Sequence, residues 1–163
     1  MTPSHLKKLL TPLAACGLWL LALAPLAAHS QSAAATSPQA TAAAGNPVLA
    51  AFGGAAGLNA LTTDFVTRLL ADPRTQPFFQ NANAPELARK LADQFCDVLG
   101  GQCGYQGAPM KLAHDAMEIR KQDFNALVEV LQQAMDAQGI AFADQNRLLA
   151  RLAPMHRDVV NTR

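Results

Sequence analysis

The sequence predicts an all-α protein, and three observations support this fold class. Large apolar residues recur at every third or fourth position in four separate segments, which is the spacing of one face of a helix. A glycine or a proline follows closely after the end of each segment. No segment shows the sustained alternation of apolar and polar residues that is typical of a strand.

The first two apolar stripes each end at a recognisable stop. The first stripe contains Leu61, Phe65 and Leu69. Its end is predicted at Asp72-Pro73, because a residue before proline disfavours helical geometry. Gly100-Gly101 predicts the end of the second stripe, since glycine readily adopts the left-handed conformation found after helices. The residues of this second stripe are Leu87, Leu91, Phe95, Val98 and Leu99.

The third and fourth stripes complete the helical pattern. Gly139 predicts the end of the third, and Pro154 is expected to bend or shorten the fourth. Four helices of this length could pack as a plain bundle or in a globin-like arrangement, and composition alone does not choose between them. The third stripe consists of Phe124, Leu127, Val128, Leu131 and Met135, and the fourth of Phe142, Leu148, Leu149 and Leu152.

The N-terminal residues have the pattern of a secretory signal peptide. Basic residues precede an apolar run over 9–28, and Ala28-His29-Ser30 offers a small-residue cleavage site. We therefore expect a signal peptide over 1–30 and an exported, periplasmic protein with no membrane span after cleavage. Two alternatives remain, an uncleaved N-terminal membrane anchor and lipid attachment at Cys16.

A flexible linker over residues 31–47 and one globular domain over 48–163 are predicted after the signal peptide. The linker is rich in Ala, Ser and Thr, and it has too little apolar surface to offset the entropy of ordering. Without Lys7 and Lys8, 11 basic and 12 acidic residues remain, which gives a net charge of −1. No basic stripe is present, so nucleic acid is not an expected partner.

Two cysteines of the predicted domain, Cys96 and Cys103, flank the end of the second helix and the following loop. In an exported protein this pair predicts a disulfide, which would stabilise the turn by about 2 kcal/mol. The alternative, a metal or redox pair, usually has a tighter spacing or further Cys and His residues nearby. Neither of these signs is found around the pair.

Motifs for hydrolysis or phosphate binding are lacking in the sequence, which contains no Gly-x-Ser-x-Gly, phosphate loop or His-Glu-x-x-His. Asp93 and Asp97 lie one turn apart, and we interpret them as part of a solvated helix face. His114 stands on a short apolar segment after the glycine pair. A single histidine of this kind is by itself most often structural.

The order of segments around His114 resembles the group I truncated haemoglobins over about residues 50–160. The resemblance is carried first by Phe52-Gly53-Gly54, Asp64-Phe65, Leu70-Ala71-Asp72-Pro73 and Pro77-Phe78-Phe79. It continues through Leu99-Gly100-Gly101, Tyr105-Gln106-Gly107-Ala108-Pro109-Met110-Lys111, His114, Ile119, Phe124, Leu152-Ala153-Pro154 and Asp158-Val159-Val160.

This resemblance implies a two-over-two helical sandwich, a shortened globin that holds haem b. His114 is then the proximal ligand of the haem iron, and Phe79 packs on the haem face. Covalent attachment through Cys-x-x-Cys-His is not expected, since that motif is missing. The apolar slot would be supplied by Phe65, Phe79, Phe95 and Met110, and cations for the haem propionates by Arg89, Lys90 and Lys111. In some relatives the residue at the place of Lys90 occupies the open iron position.

The sequence departs from the family pattern on the side of the haem opposite His114. The usual tyrosine falls at Val66 and a usual glutamine at Leu91, while Leu87 completes an apolar wall. Hydrogen bonds contribute about 1 kcal/mol each, so losing two would weaken O2 retention by one or two orders of magnitude. The hypothesis is a protein that binds NO, CO or another small ligand better than it stores O2. A donor could still come from Gln94, Thr62 or Thr63.

A second hypothesis is an exported globin-like domain without haem that serves as a protein-interaction module. Peroxidase or NO dioxygenase activity would need distal acid–base groups or a reductase, and neither is evident in the sequence. Whether the protein is an enzyme, and which redox partner it would use, stay open at this point.

Overall fold

A computed structural model describes residues 45–162, which belong to one compact unit of the chain. The described part contains helices and no strand, so the predicted all-α class is confirmed. The predicted signal peptide over 1–30 and most of the linker over 31–47 lie outside the described residues. The helices are α1 (Pro47–Ala51), α2 (Gly54–Ala71), α3 (Gln76–Phe79), α4 (Ala84–Val98), α5 (Met110–His114), α6 (Lys121–Ala137), α7 (Phe142–Leu152) and α8 (His156–Val159).

The four long helices correspond to the four apolar stripes, and their ends follow the predicted stops. Asp72 is extended at the end of α2, directly before Pro73. Gly100 has a φ of 87° after α4, and the Gly101 N–H donates to the carbonyl of Cys96 at 2.8 Å. α7 ends at Leu152, and a 3-10 turn over Ala153–Met155 that contains Pro154 follows it, so the predicted shortening of the fourth helix is confirmed.

The core lies between two pairs of long helices. α2 packs most extensively on α4. This pair lies against α6 and α7, since α2 contacts α6 and α4 contacts α7. Phe65 of α2 and Phe95 of α4 face each other with ring centroids 6.5 Å apart. This is the two-over-two arrangement. The largest fully buried side chains of the helices include Leu58, Leu61, Leu69, Leu131, Met135 and Leu148.

The first described residues already belong to the folded domain. The Asn46 side-chain oxygen accepts from the N–H groups of Val48 and Leu49 at 3.0 and 3.3 Å, and thereby caps α1. Its side-chain amide donates to the carbonyl of Leu99 at 3.1 Å, where α4 ends. Pro47 lies in α1, although composition placed residues 46 and 47 in the linker.

None of the helices within residues 45–162 is long and apolar enough to cross a membrane.

Candidate functional site

The candidate site lies where α4 approaches α5 and the 3-10 turn before α8. Gln94 of α4 is buried, with 7% of its surface exposed. Its side-chain Nε2 lies 3.4 Å from the Sδ of Met110 in α5 and 3.7 Å from the Sδ of Met155 in the 3-10 turn. Since Leu87, Leu91 and Gln94 follow one another at steps of four and three, they share one face of α4.

His114 stands at the end of α5 and is half-buried. Its Nδ1 lies 2.7 Å from the backbone carbonyl of Met110, one turn earlier. In the neutral ring this contact requires the proton to be on Nδ1, because a carbonyl can only accept. The lone pair of Nε2 is then available, which is the usual state of a histidine that ligates a metal.

The loop before α5 is held by Asp97, which lies at the end of α4. One carboxylate oxygen accepts from the N–H groups of Cys103 and Gly104 at 2.7 and 3.2 Å. The other accepts from the N–H of Tyr105 at 2.7 Å. A disulfide between Cys96 and Cys103 joins the same helix to the same loop, so the predicted pairing is confirmed.

The prediction that Asp97 belongs to a solvated helix face was therefore wrong, whereas the same prediction for Asp93 agrees with the structure. Asp93 pairs with Arg89 at 3.0 Å on the surface of α4. Asp97 instead satisfies three backbone N–H groups of an irregular loop, which has no helical partners for them. The sequence feature that could have indicated this role is the position of Asp97, next to the predicted disulfide and close to the glycine pair.

Residues 161 and 162 hold the other end of α5 in place, a contact that no motif in the sequence indicates. Asn161 donates its side-chain amide to the carbonyls of His114 and Asp115 at 2.7 and 3.1 Å. The backbone N–H of Thr162 donates to the carbonyl of Ile119 at 3.2 Å. The backbone around His114 is thus tied on both sides to more distant parts of the chain.

The structure distributes the predicted apolar residues between the core and this site. Phe65 and Phe95 are almost fully buried and contact each other, so they form part of the core. Phe79 and Leu91 are half-buried and pack against the core from its edge. Leu87 and Met110 are also half-buried, on α4 and α5 respectively.

Val66 lies on a different surface from the contact between Gln94 and Met110. It is buried on α2 and lines a groove of about 380 Å³ between α2 and α4. Thr63 and Thr67 of α2 line the groove from one side, and Ala84 and Ala88 of α4 line it from the other.

The predicted cations lie at the surface of the domain. Lys90 is exposed and forms an ion pair with Glu86, with 2.8 Å between Nζ and Oε1. The hydrogen bond from Lys90 lowers the pKa of the Glu86 carboxyl below its usual value. Lys111 is exposed on α5. Arg89 and Lys90 also line a polar cleft of about 370 Å³ beside the loop over 103–107.

These residues fit a haem. His114 offers a ring nitrogen with a free lone pair, and half-buried apolar side chains lie on the two facing helices. The buried amide of Gln94 meets only thioether sulfurs, which are weak acceptors, so this polar group is poorly satisfied by the protein alone. Lys90 and Lys111 are accessible cations on the same two helices and could pair with propionates.

One other cluster of candidate metal ligands occurs within residues 45–162. It consists of Cys96, Asp97 and Cys103. A metal requires thiolate sulfurs, whereas these two sulfurs are bonded to each other. The cluster therefore holds the loop together and offers no metal site in this state.

Comparisons with known proteins agree with this architecture. A sequence model of the bacterial-like globin family matches residues 48–161. The group 1 truncated haemoglobin GlbN of Mycolicibacterium paratuberculosis is 31% identical over 107 residues, which are 66% of this chain and 79% of that protein. The group 1 truncated haemoglobin of Tetrahymena thermophila is 32% identical over 89 residues, 55% of this chain and 74% of that protein.

A solved structure gives the same result. The crystal structure of the truncated haemoglobin from Tetrahymena pyriformis, in its Fe(III) form, is similar to this chain with a TM-score of 0.67 and 25% identity. The similarity covers 71% of this chain and 98% of that one. The range matched by the family model includes every helix from α2 to α8 and both sides of the site around His114.

Proposed function

Since the chain belongs to the bacterial-like globin family and resembles its group 1 truncated haemoglobins, we propose that it binds haem b through His114 and takes up a diatomic gas on the opposite side. Haem binding and the uptake of small gaseous ligands are the general properties of this family. The identity of the haem, the ligating residue and the preferred gas are the specific parts of the proposal.

The observation that carries the proposal is the hydrogen bond between Nδ1 of His114 and the carbonyl of Met110. It fixes the orientation of the ring and leaves Nε2 as the ligating nitrogen. When bound, haem iron supplies one further coordination position to a gas molecule. The protein contributes the ligating nitrogen, the apolar slot that excludes water and the charges at the rim.

The gas preference is proposed from the side chains of α4. Leu87 and Leu91 lie on the face that also carries Gln94, and neither leucine can donate a hydrogen bond. O2 binds with partial negative charge and depends on donors more than CO or NO do. We therefore infer that the protein binds NO or CO better than it retains O2.

The proposed location is the periplasm, after cleavage of a signal peptide over 1–30. The basic, apolar and small-residue order of that segment supports export. The disulfide between Cys96 and Cys103 is in keeping with an oxidising compartment. A short apolar segment removed by cleavage would leave the globin domain, proposed to extend over 48–163, without an anchor.

Titration of the purified protein with haemin tests the proposal. We expect a stoichiometric Soret band, and we expect His114→Gly to abolish it because the ligating nitrogen is lost. Added imidazole should restore the band, since it can occupy the space of the missing ring. His156→Gly is the matched control, because His156 packs against Phe124 with ring centroids 4.8 Å apart and has no assigned role at the iron.

The result that would overturn the proposal is a protein that takes up no haem although circular dichroism shows its helices. The haem-free interaction module would then be the better hypothesis. A Soret band that persists unchanged in His114→Gly without imidazole would contradict the assignment of the ligand alone.

A further inference from the structure

Asn161 connects the two ends of the segment over residues 114–119, which begins with the proposed iron ligand. Its side-chain amide donates to the carbonyls of His114 and Asp115 at 2.7 and 3.1 Å. Its backbone N–H donates to the carbonyl of Ile119 at 3.1 Å. A single residue therefore holds both the end of α5 and the point where the chain leaves the following turn.

The turn itself has a strained backbone. The last carbonyls of a helix have no partner within it, so those of His114 and Asp115 need donors from elsewhere. The N–H of Met117 supplies one of them, to His114 at 3.1 Å. Glu118 has a φ of 51°, a left-handed conformation that is unfavourable for a residue with a side chain. The hydroxyl of Thr162 donates to the carbonyl of Glu118 at 3.0 Å, so the last two described residues together stabilise this turn.

Asn161 ties His114 to a part of the chain outside α5. The contact from Nδ1 of His114 to the carbonyl of Met110 lies within α5, so it moves with that helix. The amide of Asn161 reaches His114 across 47 positions of sequence, from just after α8. α8 packs against α5, and its Val159 is buried. The Met110 carbonyl thus orients the ring, whereas Asn161 determines where the residue stands in the fold.

We propose that Asn161 is a positioning residue for the iron ligand, and that it sets how tightly haem binds and how His114 meets the iron. This inference rests on the proposed function. The hydrogen bonds from Asn161 involve no atom of the imidazole ring, so they can form before haem binds as well as afterwards. Affinity falls when the competent conformation is only partly populated, because binding must then order the ligating segment. Asn161 keeps that population high.

The test compares Asn161→Ala and Asn161→Asp with Thr162→Val in the full chain. We expect Asn161→Ala to raise the dissociation constant for haemin about fivefold, because two hydrogen bonds to the ligating segment are lost. Asn161→Asp has the same shape but no donor, and it should raise the constant at least as much. Thr162→Val removes one hydrogen bond to the same turn without touching His114, so we expect less than a twofold change.

A spectroscopic readout separates a positioning residue from a purely structural one. Resonance Raman after photolysis of the CO complex gives the iron–histidine stretching frequency. Both Asn161 variants should lower and broaden it, since His114 is no longer fixed in one place, and Thr162→Val should leave it unchanged.

The inference is overturned if the Asn161 variants lower the urea midpoint of the haem-free chain but change neither the haemin affinity nor this frequency. Equal effects of the Asn161 variants and Thr162→Val on affinity and frequency would also overturn it. In both cases the wild-type chain still binds haemin, so the proposed function stands. If the wild-type chain binds no haemin, both fail.

Discussion

The side chains on the two facing helices have different chemistry. On α5, His114 presents a nitrogen whose lone pair is kept free by the bond to the Met110 carbonyl. On α4, Leu91 is half-buried and offers only a hydrocarbon surface. The group I pattern has a glutamine at this place, so a single substitution distinguishes an apolar from a polar wall. The gas affinity of the site should therefore respond strongly to residue 91.

We predict that Leu91→Gln lowers the O2 dissociation rate constant about tenfold, because it adds a hydrogen-bond donor to the face of α4. Stopped-flow displacement of O2 by CO measures this rate. Leu91→Met is the control, since it keeps a flexible apolar side chain of similar volume and should have no effect. Slow O2 release from the wild-type protein, with no further change in Leu91→Gln, would contradict the proposed apolar wall.

The short helix α5 depends on its connections. Five residues are too few to be helical in isolation, because nucleation of a helix is costly. Asp97 and the disulfide hold the loop that enters α5, and Asn161 holds the residues that leave it. The position of His114 is therefore determined by α4 and by the C-terminal segment more than by α5 itself.

Asp97→Ala should lower the free energy of unfolding of the haem-free protein by about 2–3 kcal/mol, because three backbone N–H groups lose an ionised acceptor. Asp93→Ala, one turn earlier on the same helix, should cost less than about 1 kcal/mol, since it removes one exposed ion pair. Urea unfolding followed by circular dichroism measures both. Equal losses in the two variants would show that the loop does not need Asp97.

At the scale of the whole molecule, the folded domain includes residues before the range matched by the globin family. Asn46 caps α1 and also donates to Leu99 at the end of α4. It thus joins the first helix of the described structure to the loop that leads towards the site. The folded part of the chain therefore extends at least to Asn46, two residues before the range that the family model matches.

A chain that begins at residue 45 should have the same free energy of unfolding as one that begins at residue 31. A chain that begins at residue 48 should lose about 1–2 kcal/mol, because it lacks the N-cap of α1. Thermal unfolding of the three chains checks this expectation. Equal stability of all three would assign Asn46 to the linker, whereas a loss on removing 31–44 alone would give that segment a structural role.

The long helices could be predicted because the residues that specify each helix and its end lie close together in the sequence. The stripe that contains Leu61, Phe65 and Leu69 has the period of a helix, and Asp72-Pro73 stops it whatever the rest of the chain does. The pairing of Cys96 with Cys103 was accessible for the same reason, since only seven positions separate them.

The contacts that build the site could not be predicted in this way, because they join distant positions. Asn161 and His114 are 47 residues apart, and Gln94 and Met155 are 61 apart. Nothing in the local sequence of either partner requires these contacts. The role of Asp97 was missed for a related reason, as the N–H groups that it accepts from belong to a loop without periodicity.

The attachment of Asn161 and Thr162 to the segment after His114 has a consequence for biosynthesis. Residues 110–119 are translated before residues 161 and 162. The later residues nevertheless hold the earlier segment in place, through hydrogen bonds to the carbonyls of His114 and Ile119. Because α5 is too short to persist alone, we expect this segment to remain unfolded on the nascent chain. Capture of the prosthetic group would then begin only after residues 161 and 162 have been synthesised and have reached this segment.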